Sequence, residues 1–334
     1  MNKYEFNSIQ SGIVKLLEDA KQSTVSKVAG EEVFNRDLDN YELGVVELEI
    51  SDAKNRDVFQ SRSQMIYSIL DTIYVLSGRN DSYVMTQHTD FYKLFNGNGF
   101  FNNAFGKRVY ELYGNQMNFV YNELKKRPNS TDAIIYMKGR NWSDFDCTMY
   151  IQFIKLNNKL NIVLSYKASD IIVYLQSDLF KYSVLLELMS KWLDMPMGSI
   201  YFFSSKMYYL KEYQSVTDHL IKQYNTVEPK YSKVIPIEMD YKSSREVFFN
   251  AIDIINSWYK FKERNLDDYI EEIKYQKFPY FLENWLMILL TYKYYKEDKV
   301  VEYNTIFELL EPTIYKYYFE FFKSFQAHPL TEFE

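Results

Sequence analysis

The sequence predicts an α/β chain in which strands and helices interleave, followed by a separate helical appendage. Three observations predict it. Strand-like segments gather between residues 133 and 174, with others at 43–50 and 200–203. Amphipathic helical spacing recurs between and around them. After about residue 214 the strand signal ends and only helical patterns follow.

Residues 5–21 place Ile9, Ile13, Leu16 and Leu17 at helical spacing. Residues 43–50 alternate around Val46, Leu48 and Ile50, the pattern of a strand. From Gln64 to Leu76 the spacing is helical again, and Ser77-Gly78 stops it. Residues 80–107 contain Asn96-Gly97-Asn98-Gly99 and read as a loop region. Residues 108–126 read as one helix, ended by Pro128-Asn129-Ser130.

Strands are expected at 133–138, 149–156, 160–166 and 171–174. Between two of them Asn157-Asn158 is a hairpin signal. Residues 178–193 read as a helix with Leu185, Leu186, Leu188 and Met189 on or near its buried side. Gly198 precedes a strand-like aromatic run, Ile200 to Phe203. Pro229, Pro236 and a charged stretch then lead into helical patterns at 244–262, 266–275, 281–296 and 302–324. The division expected is a domain over 1–213 and a helical extension over 214–334.

The chain has 334 residues, 47% hydrophobic and 25% charged, which supplies a sizeable core and argues against bulk disorder. The 32 Tyr and 25 Phe read as an aromatic-rich core rather than a stacking platform. A net charge of −6 argues against nucleic-acid binding, which Lys and Arg drive by neutralising phosphates. Lys125-Lys126-Arg127 is a solvated helix end. One Cys forbids an internal disulfide and fits a reducing compartment. The three His (His88, His219, His328) and the Cys show no zinc spacing, so no metal is expected. Met1-Asn2-Lys3-Tyr4-Glu5 lacks the regions of a signal peptide, and no apolar run reaches the ~18 residues of a membrane span. A soluble cytoplasmic protein with no membrane partner is expected.

Cys147 is the only thiol and follows Asp146. By itself a lone Cys is more often a small buried hydrophobe than a nucleophile, and no His stands nearby in sequence to activate it. The surrounding order of motifs is more informative. Asp146-Cys147-Thr148, Gln152-Phe153, Asn158-Lys159-Leu160 and Ser169-Asp170 resemble the central segment of thymidylate synthases and the related pyrimidine nucleotide hydroxymethylases. That segment has Pro-Cys, Gln-Phe five residues after the Cys, a hairpin ending in Gly-Lys-Leu, and Arg-Ser-x-Asp.

The likeness extends both ways. Asp178-Leu179-Phe180 resembles the Asn or Asp and apolar pair that open a helix in this family. Gly198 and Ser205-Lys206-Met207-Tyr208 resemble its closing Gly and Ser-x-His-x-Tyr motif. Ala104-Phe105-Gly106-Lys107-Arg108 resembles its Tyr-Gly loop. Asp71-x-x-Tyr74-x-Leu76-Ser77-Gly78 resembles Glu-x-x-Trp-x-Leu-x-Gly, and Pro128-Asn129-Ser130 its Pro-x-Ser turn. The resemblance covers roughly residues 5–213 and implies a bent mixed sheet that packs against a second copy in a homodimer.

It also implies roles. Cys147 would add to C6 of a pyrimidine, making C5 nucleophilic toward the one-carbon unit of 5,10-methylenetetrahydrofolate. Asp170 would hold the pterin, with Tyr74 beside the cofactor. Asp178 would read the base edge; a carboxylate only accepts hydrogen bonds, which suits the exocyclic amine of cytosine. Tyr208 would contact the sugar, with Gln152, Lys167 and Ser169 also on the substrate. Asp71 would replace the family's Glu in organising protons, one methylene shorter. The ordinary alternatives are an N-cap at Asp178, a local cap at Asp170, a solvent-facing or backbone-bonded Gln152, and core aromatics at Tyr74 and Tyr208.

The departures share a direction. Thr131 and Asp132 stand where the family places phosphate-binding arginines, and Asp132 would repel a phosphate. Lys167 replaces an Arg and loses bidentate geometry, and Ala168 replaces the neighbouring Ser. Ser26-Lys27-Val28-Ala29-Gly30 holds no Arg in register, leaving Lys27 or Arg36 as weak substitutes. Lys206 replaces the His and Asp146 the Pro. Two functions follow: folate-dependent one-carbon transfer to a pyrimidine nucleotide or nucleoside, or a non-catalytic homologue binding a nucleotide or, through 214–334, a protein partner.

Overall fold

The computed structural model describes residues 2–28, 38–56, 62–88, 99–101, 104–137, 147–226, 235–261, 264–313, 315–317 and 319. The chain divides into two compact units, Met1–Val58 with Lys107–Glu228, and Phe59–Gly106 with Pro229–Glu334.

The first unit holds the sheet. Its strands are β1 (Asn2–Phe6), β2 (Val25–Val28), β3 (Leu38–Ile50), β4 (Ile134–Tyr136), β5 (Thr148–Leu156), β6 (Lys159–Tyr166), β7 (Ser169–Asp170) and β8 (Met197–Leu210). The order is β1-β3-β8-β6-β5-β4, with β2 on β3 and β7 on β8. The pairs β1–β3, β6–β8 and β7–β8 are parallel and the others antiparallel, so the sheet is mixed. The long β3–β8 ladder shifts register on both sides of Gly44, whose φ of 71° is open to glycine without strain. Such a bulge bends the strand.

The helices are α1 (Ile9–Lys21), α2 (Arg62–Ser77), α3 (Tyr83–His88), α4 (Phe105–Glu111), α5 (Gln116–Lys126), α6 (Gln176–Trp192), α7 (Gln214–Thr226), α8 (Tyr241–Lys260), α9 (Leu266–Tyr275), α10 (Tyr280–Lys296) and α11 (Val300–Leu309). In the first unit α1 packs on β3, and α6 packs on β6 and β8. Ile9, Ile13, Leu16 and Leu17 of α1 bury against that face, with Ile162, Leu164, Ile200 and Phe202 from the strands in the same core. Ser8 starts α1 by accepting the Ser11 N–H at 3.2 Å.

The expected hairpin is present. Asn157 and Asn158 both have positive φ (51° and 60°), the two-residue turn whose twist matches its strands. Gly78, with φ 73°, stops α2 as expected.

Elsewhere the structure corrects the sequence reading. Residues 171–174 are a π-helical turn, Ile171–Leu175, because the Asp170 side chain accepts the Ile172 and Val173 N–H groups and starts a turn there. Residues 108–126 are two helices, broken where Gly114 takes φ 81° and Asn115 caps α5. Helix α3 lies inside the expected loop region, whose residues 89–98 fall outside those described. Residues 5 and 6 belong to β1 rather than to the first helix, and the helical pattern expected over 302–324 is interrupted after α11 at Leu309, with residues 315–317 and 319 helical again. Helix α7 was not visible in the periodicity, and Arg36 and His328 lie outside the described residues.

In the second unit α2 packs on α8 and α10, and α9 on α8 and α10. Trp258, Tyr269, Phe248, Phe281 and Trp285 form ring contacts in this core. Arg79, just after α2, pairs with Asp81 at 2.5 Å and with Asp253 of α8, and its guanidinium lies 4.4 Å over the Phe249 ring. Part of the aromatic bias thus lies in this core, while Tyr113, Phe119, Tyr136, Phe261 and Tyr275 are exposed. Among the described residues no helix is long and apolar enough to cross a membrane.

Candidate active site

Most of the site residues expected from sequence lie on or directly beside adjoining strands of the first unit. Cys147 immediately precedes β5, half-buried, and its carbonyl accepts the Lys167 N–H at 2.9 Å. The Thr148–Tyr166 pair comes next, and the ladder then shifts register between Thr148 and Tyr150. That irregularity leaves both Thr148 and Ile151 buried, although they are three apart on one strand. Lys167 is exposed beside Cys147.

Two residues on, β7 pairs with β8, setting Ser169 opposite Met207 and Asp170 opposite Tyr208. Asp170 is buried and accepts the Ile172 and Val173 N–H groups at 2.8 and 2.9 Å. It therefore serves as the local cap that was one reading of it. Burial pushes its carboxyl up to about 7, against the opposing pull of these backbone bonds. The neighbouring Ser169 hydroxyl is buried with no hydrogen-bond partner among the described residues. Tyr208 is half-buried on β8.

Asp178 sits in the first turn of α6 but does not cap it; the cap position is Leu175, which has no side-chain bond. Its carboxylate instead pairs with Lys181 at 2.9 Å, the two side chains only 17% and 7% exposed. Tyr166 and Tyr182 lie against this pair. Burial raises both phenols, and the Asp178 charge adds to the rise in each. Their hydroxyls and Thr148 approach one another, yet neither phenol meets a partner at hydrogen-bonding geometry. Gln176 Oε1 is buried in the same condition. From Cys147 the path Thr148, Tyr166, Tyr182, Asp178 is thus a polar interior with several unmet bonds.

Three expected residues are otherwise engaged. Gln152 donates to the Thr131 carbonyl at 2.7 Å, a bond from side chain to backbone. Tyr74 lies in the second unit on α2, where its hydroxyl donates to the Asp81 carbonyl at 3.0 Å and its ring meets Phe101 edge-on. Asp71 is buried one turn earlier on the same helix. Lys206, at the family's His position, pairs with Glu42 at 2.9 Å. The hydroxyl of Ser26 and the Lys206 ammonium hold the Glu42 carboxyl below its usual range. Asp132 is exposed and pairs with Arg127 at 3.1 Å.

Sequence reasoning missed Lys181, Tyr166 and Tyr182. For Lys181 a signal existed, since an Asp and a Lys three apart on a helix face each other.

The mixed sheet, bulged at Gly44, carries a half-buried thiol at the head of β5 and an Asp in the first turn of α6. The chain belongs to the thymidylate synthase family, whose model matches residues 63–264. It is 24% identical over 180 residues to the deoxyuridylate hydroxymethyltransferase of Bacillus phage SP01, covering 47% of each chain. It is 29% identical over 170 residues to the thymidylate synthase of Fusobacterium nucleatum, covering 48% of this chain and 58% of the relative. The chain thus spans about half the length of the curated relatives it matches. The crystal structure of thymidylate synthase from T4 phage superposes with a TM-score of 0.52 over 70% of this chain and 89% of that one, at 15% identity, which shows the fold.

Proposed function

We propose that this protein transfers a one-carbon unit, methyl or hydroxymethyl, to C5 of a pyrimidine nucleotide or nucleoside, with a cytosine base favoured. The observation that carries the reading is the buried polar cluster beside Cys147. Leaving a buried hydrogen-bonding group unmet costs about 1–3 kcal/mol, and the Tyr166 and Tyr182 hydroxyls in the cluster are two such atoms. A pyrimidine presents donors and acceptors around its whole edge and would meet them. In this reading Cys147 Sγ bonds to C6, and the C5–C6 electron pair moves to C5. C5 would then take the one-carbon unit as that unit's bonds to the folate nitrogens break with their electron pairs left on nitrogen, and would give up its proton to a base. A water or a hydride from the folate would complete the carbon as hydroxymethyl or methyl, and the C5–C6 double bond would re-form as the thiolate leaves. Asp178 accepts from the exocyclic amine, Tyr208 meets the sugar, and Lys167 offers charge to any phosphate.

The cofactor would be 5,10-methylenetetrahydrofolate, which supplies the carbon when bound. Asp170 would hold its pterin, and the partnerless Ser169 hydroxyl next to it fits a polar ligand there. The protein would act in the cytoplasm as a homodimer. Supporting the dimer, Val45 and Phe203 on adjoining strands are 38% and 37% exposed. Residues 214–334 would be an addition to the family domain of 1–213.

A specific observation favours a second reading. Lys206 is committed to Glu42, and Asp132 is exposed where a phosphate would come. A non-catalytic homologue, binding a nucleotide or protein partner, would tolerate both.

Release of tritium from C5-labelled deoxycytidylate, cytidylate, deoxyuridylate and their nucleosides, with methylenetetrahydrofolate, separates the two. We expect release from protein shown dimeric by sedimentation, falling at least ~100-fold in Cys147→Ala. No release from any of them by folded protein supports the binding homologue instead.

A further inference from the structure

Asp178 is not alone in its part of the site. Lys181, one turn along α6, reaches back to its carboxylate at 2.9 Å, and only 7% of the Lys181 side chain is exposed. An ammonium seldom sits buried without a purpose for its charge. Leu179, Phe180 and Leu185, beside it on the same helix, are all buried, so the pair is shielded from water. Tyr182 of α6 and Tyr166 of β6 also face Asp178, and both are neutral phenols near neutrality.

The chemistry of base reading depends on one proton here. An ionised carboxylate only accepts, so it matches the amine of cytosine and repels the O4 carbonyl of uracil. A protonated carboxyl both donates and accepts, as an amide does, and so it matches uracil. Burial among apolar side chains and two phenols drives a carboxyl toward its protonated form, whereas a cation at hydrogen-bonding distance drives it toward the ionised one. We propose that Lys181 sets the base preference of the pocket by holding Asp178 as an acceptor. Lys181 is then a positioning residue that acts through Asp178 rather than on the substrate. The inference rests on the pyrimidine reading above and deepens it.

The test is equilibrium binding of deoxycytidine and deoxyuridine to wild type, Lys181→Met and Lys181→Arg, across mildly acidic to mildly alkaline pH. Wild type should prefer deoxycytidine by about tenfold or more, ~1.4 kcal/mol, at every pH. Lys181→Arg should keep that preference. Lys181→Met should lose it at mildly acidic pH, where Asp178 takes up a proton, and regain it in part as pH rises. A general packing defect would weaken both ligands alike and would not make their ratio depend on pH. Should Lys181→Met fail to fold, Lys181→Gln keeps a hydrogen bond to the carboxylate without the charge and should behave the same way. A ratio in the uncharged variant equal to that of wild type overturns this inference and leaves the pyrimidine reading standing. Binding of neither nucleoside, nor of either nucleotide, by folded wild type overturns both.

Discussion

Asp170 shows how one residue can satisfy two readings. Its carboxylate caps the turn that follows β7, and it stands at the position implied for the cofactor. Burial lifts its proton affinity to about 7 from an ordinary 3.8, so over that range the folded chain keeps a proton that the unfolded chain releases. The stability this one group contributes is therefore greatest below about 4 and is lost as pH rises through about 7, by a few kcal/mol in all. Asp170→Asn keeps an oxygen for the Ile172 and Val173 N–H groups but cannot ionise. We expect its melting temperature to fall less than that of wild type between pH 5 and 8, and its stability to exceed wild type at the upper end by on the order of 1–4 kcal/mol. Parallel melting curves for the two proteins across that range would refute the assignment. At this scale, order along the chain sufficed for the pairings of neighbouring segments: the Lys167 N–H reaches the Cys147 carbonyl, and Asp170 faces Tyr208 across the β7–β8 pair. The site was not legible in the sequence where a side chain chooses among neighbours. Nothing in the spacing reveals that Gln152 turns to a carbonyl or that Lys206 turns to Glu42.

At the scale of elements, the junction of the β5–β6 hairpin with β8 is held by Asn161. Its amide nitrogen donates to the Lys159 carbonyl at 2.9 Å, and its oxygen accepts the Ser199 N–H at 2.7 Å. Gly198 leaves room for this side chain; a Cβ there would lie 2.2 Å from Asn161 Oδ1 and 2.8 Å from the Leu160 carbonyl. The requirement is close approach, not backbone conformation. Gly198→Ala should cost about 1–3 kcal/mol or more by displacing Asn161 and prising β8 from β6. Chemical denaturation measures it, and a variant within ~0.5 kcal/mol of wild type would show that the junction yields without cost. Strands and helices with strong periodicity were readable, as were the Asn157-Asn158 turn and the stop at Gly78. The π-helical turn after Asp170 was not, since Ile171, Ile172 and Val173 are strand formers by composition and a single side-chain cap overrides them.

On the scale of the whole molecule, the chain's two units do not follow its order. The second is assembled from 59–106 and 229–334, so α2 finds its neighbours almost two hundred residues downstream. Ile66, Ile69, Leu70 and Ile73 of α2 are each 1% exposed or less, and α8 and α10 are the helices α2 packs on within that unit. A fragment ending at 213 would lack those helices. Burying one such side chain is worth about 1.5–3 kcal/mol, so uncovering several should leave the fragment without cooperative unfolding and prone to aggregate. Size exclusion and circular dichroism of residues 1–213 check this; a monodisperse fragment that melts cooperatively would mean that α2 is covered by other means. A break in composition near 214 was visible in the sequence, but a long-range pairing of helices leaves no local trace.

The buried tyrosines have a consequence for how unfolding can be followed. Tyr166 and Tyr182 in the first unit and Tyr294 in the second are each 2% exposed or less, and burial holds all three phenols above the ordinary value of 10.0. In strong alkali these rings stay colourless to the near-ultraviolet phenolate band until the chain around them opens, while exposed tyrosines ionise gradually. Each unit therefore carries an internal optical indicator. A late, steep step in phenolate absorbance would time the breach of its core, with no dye, label or substitution needed.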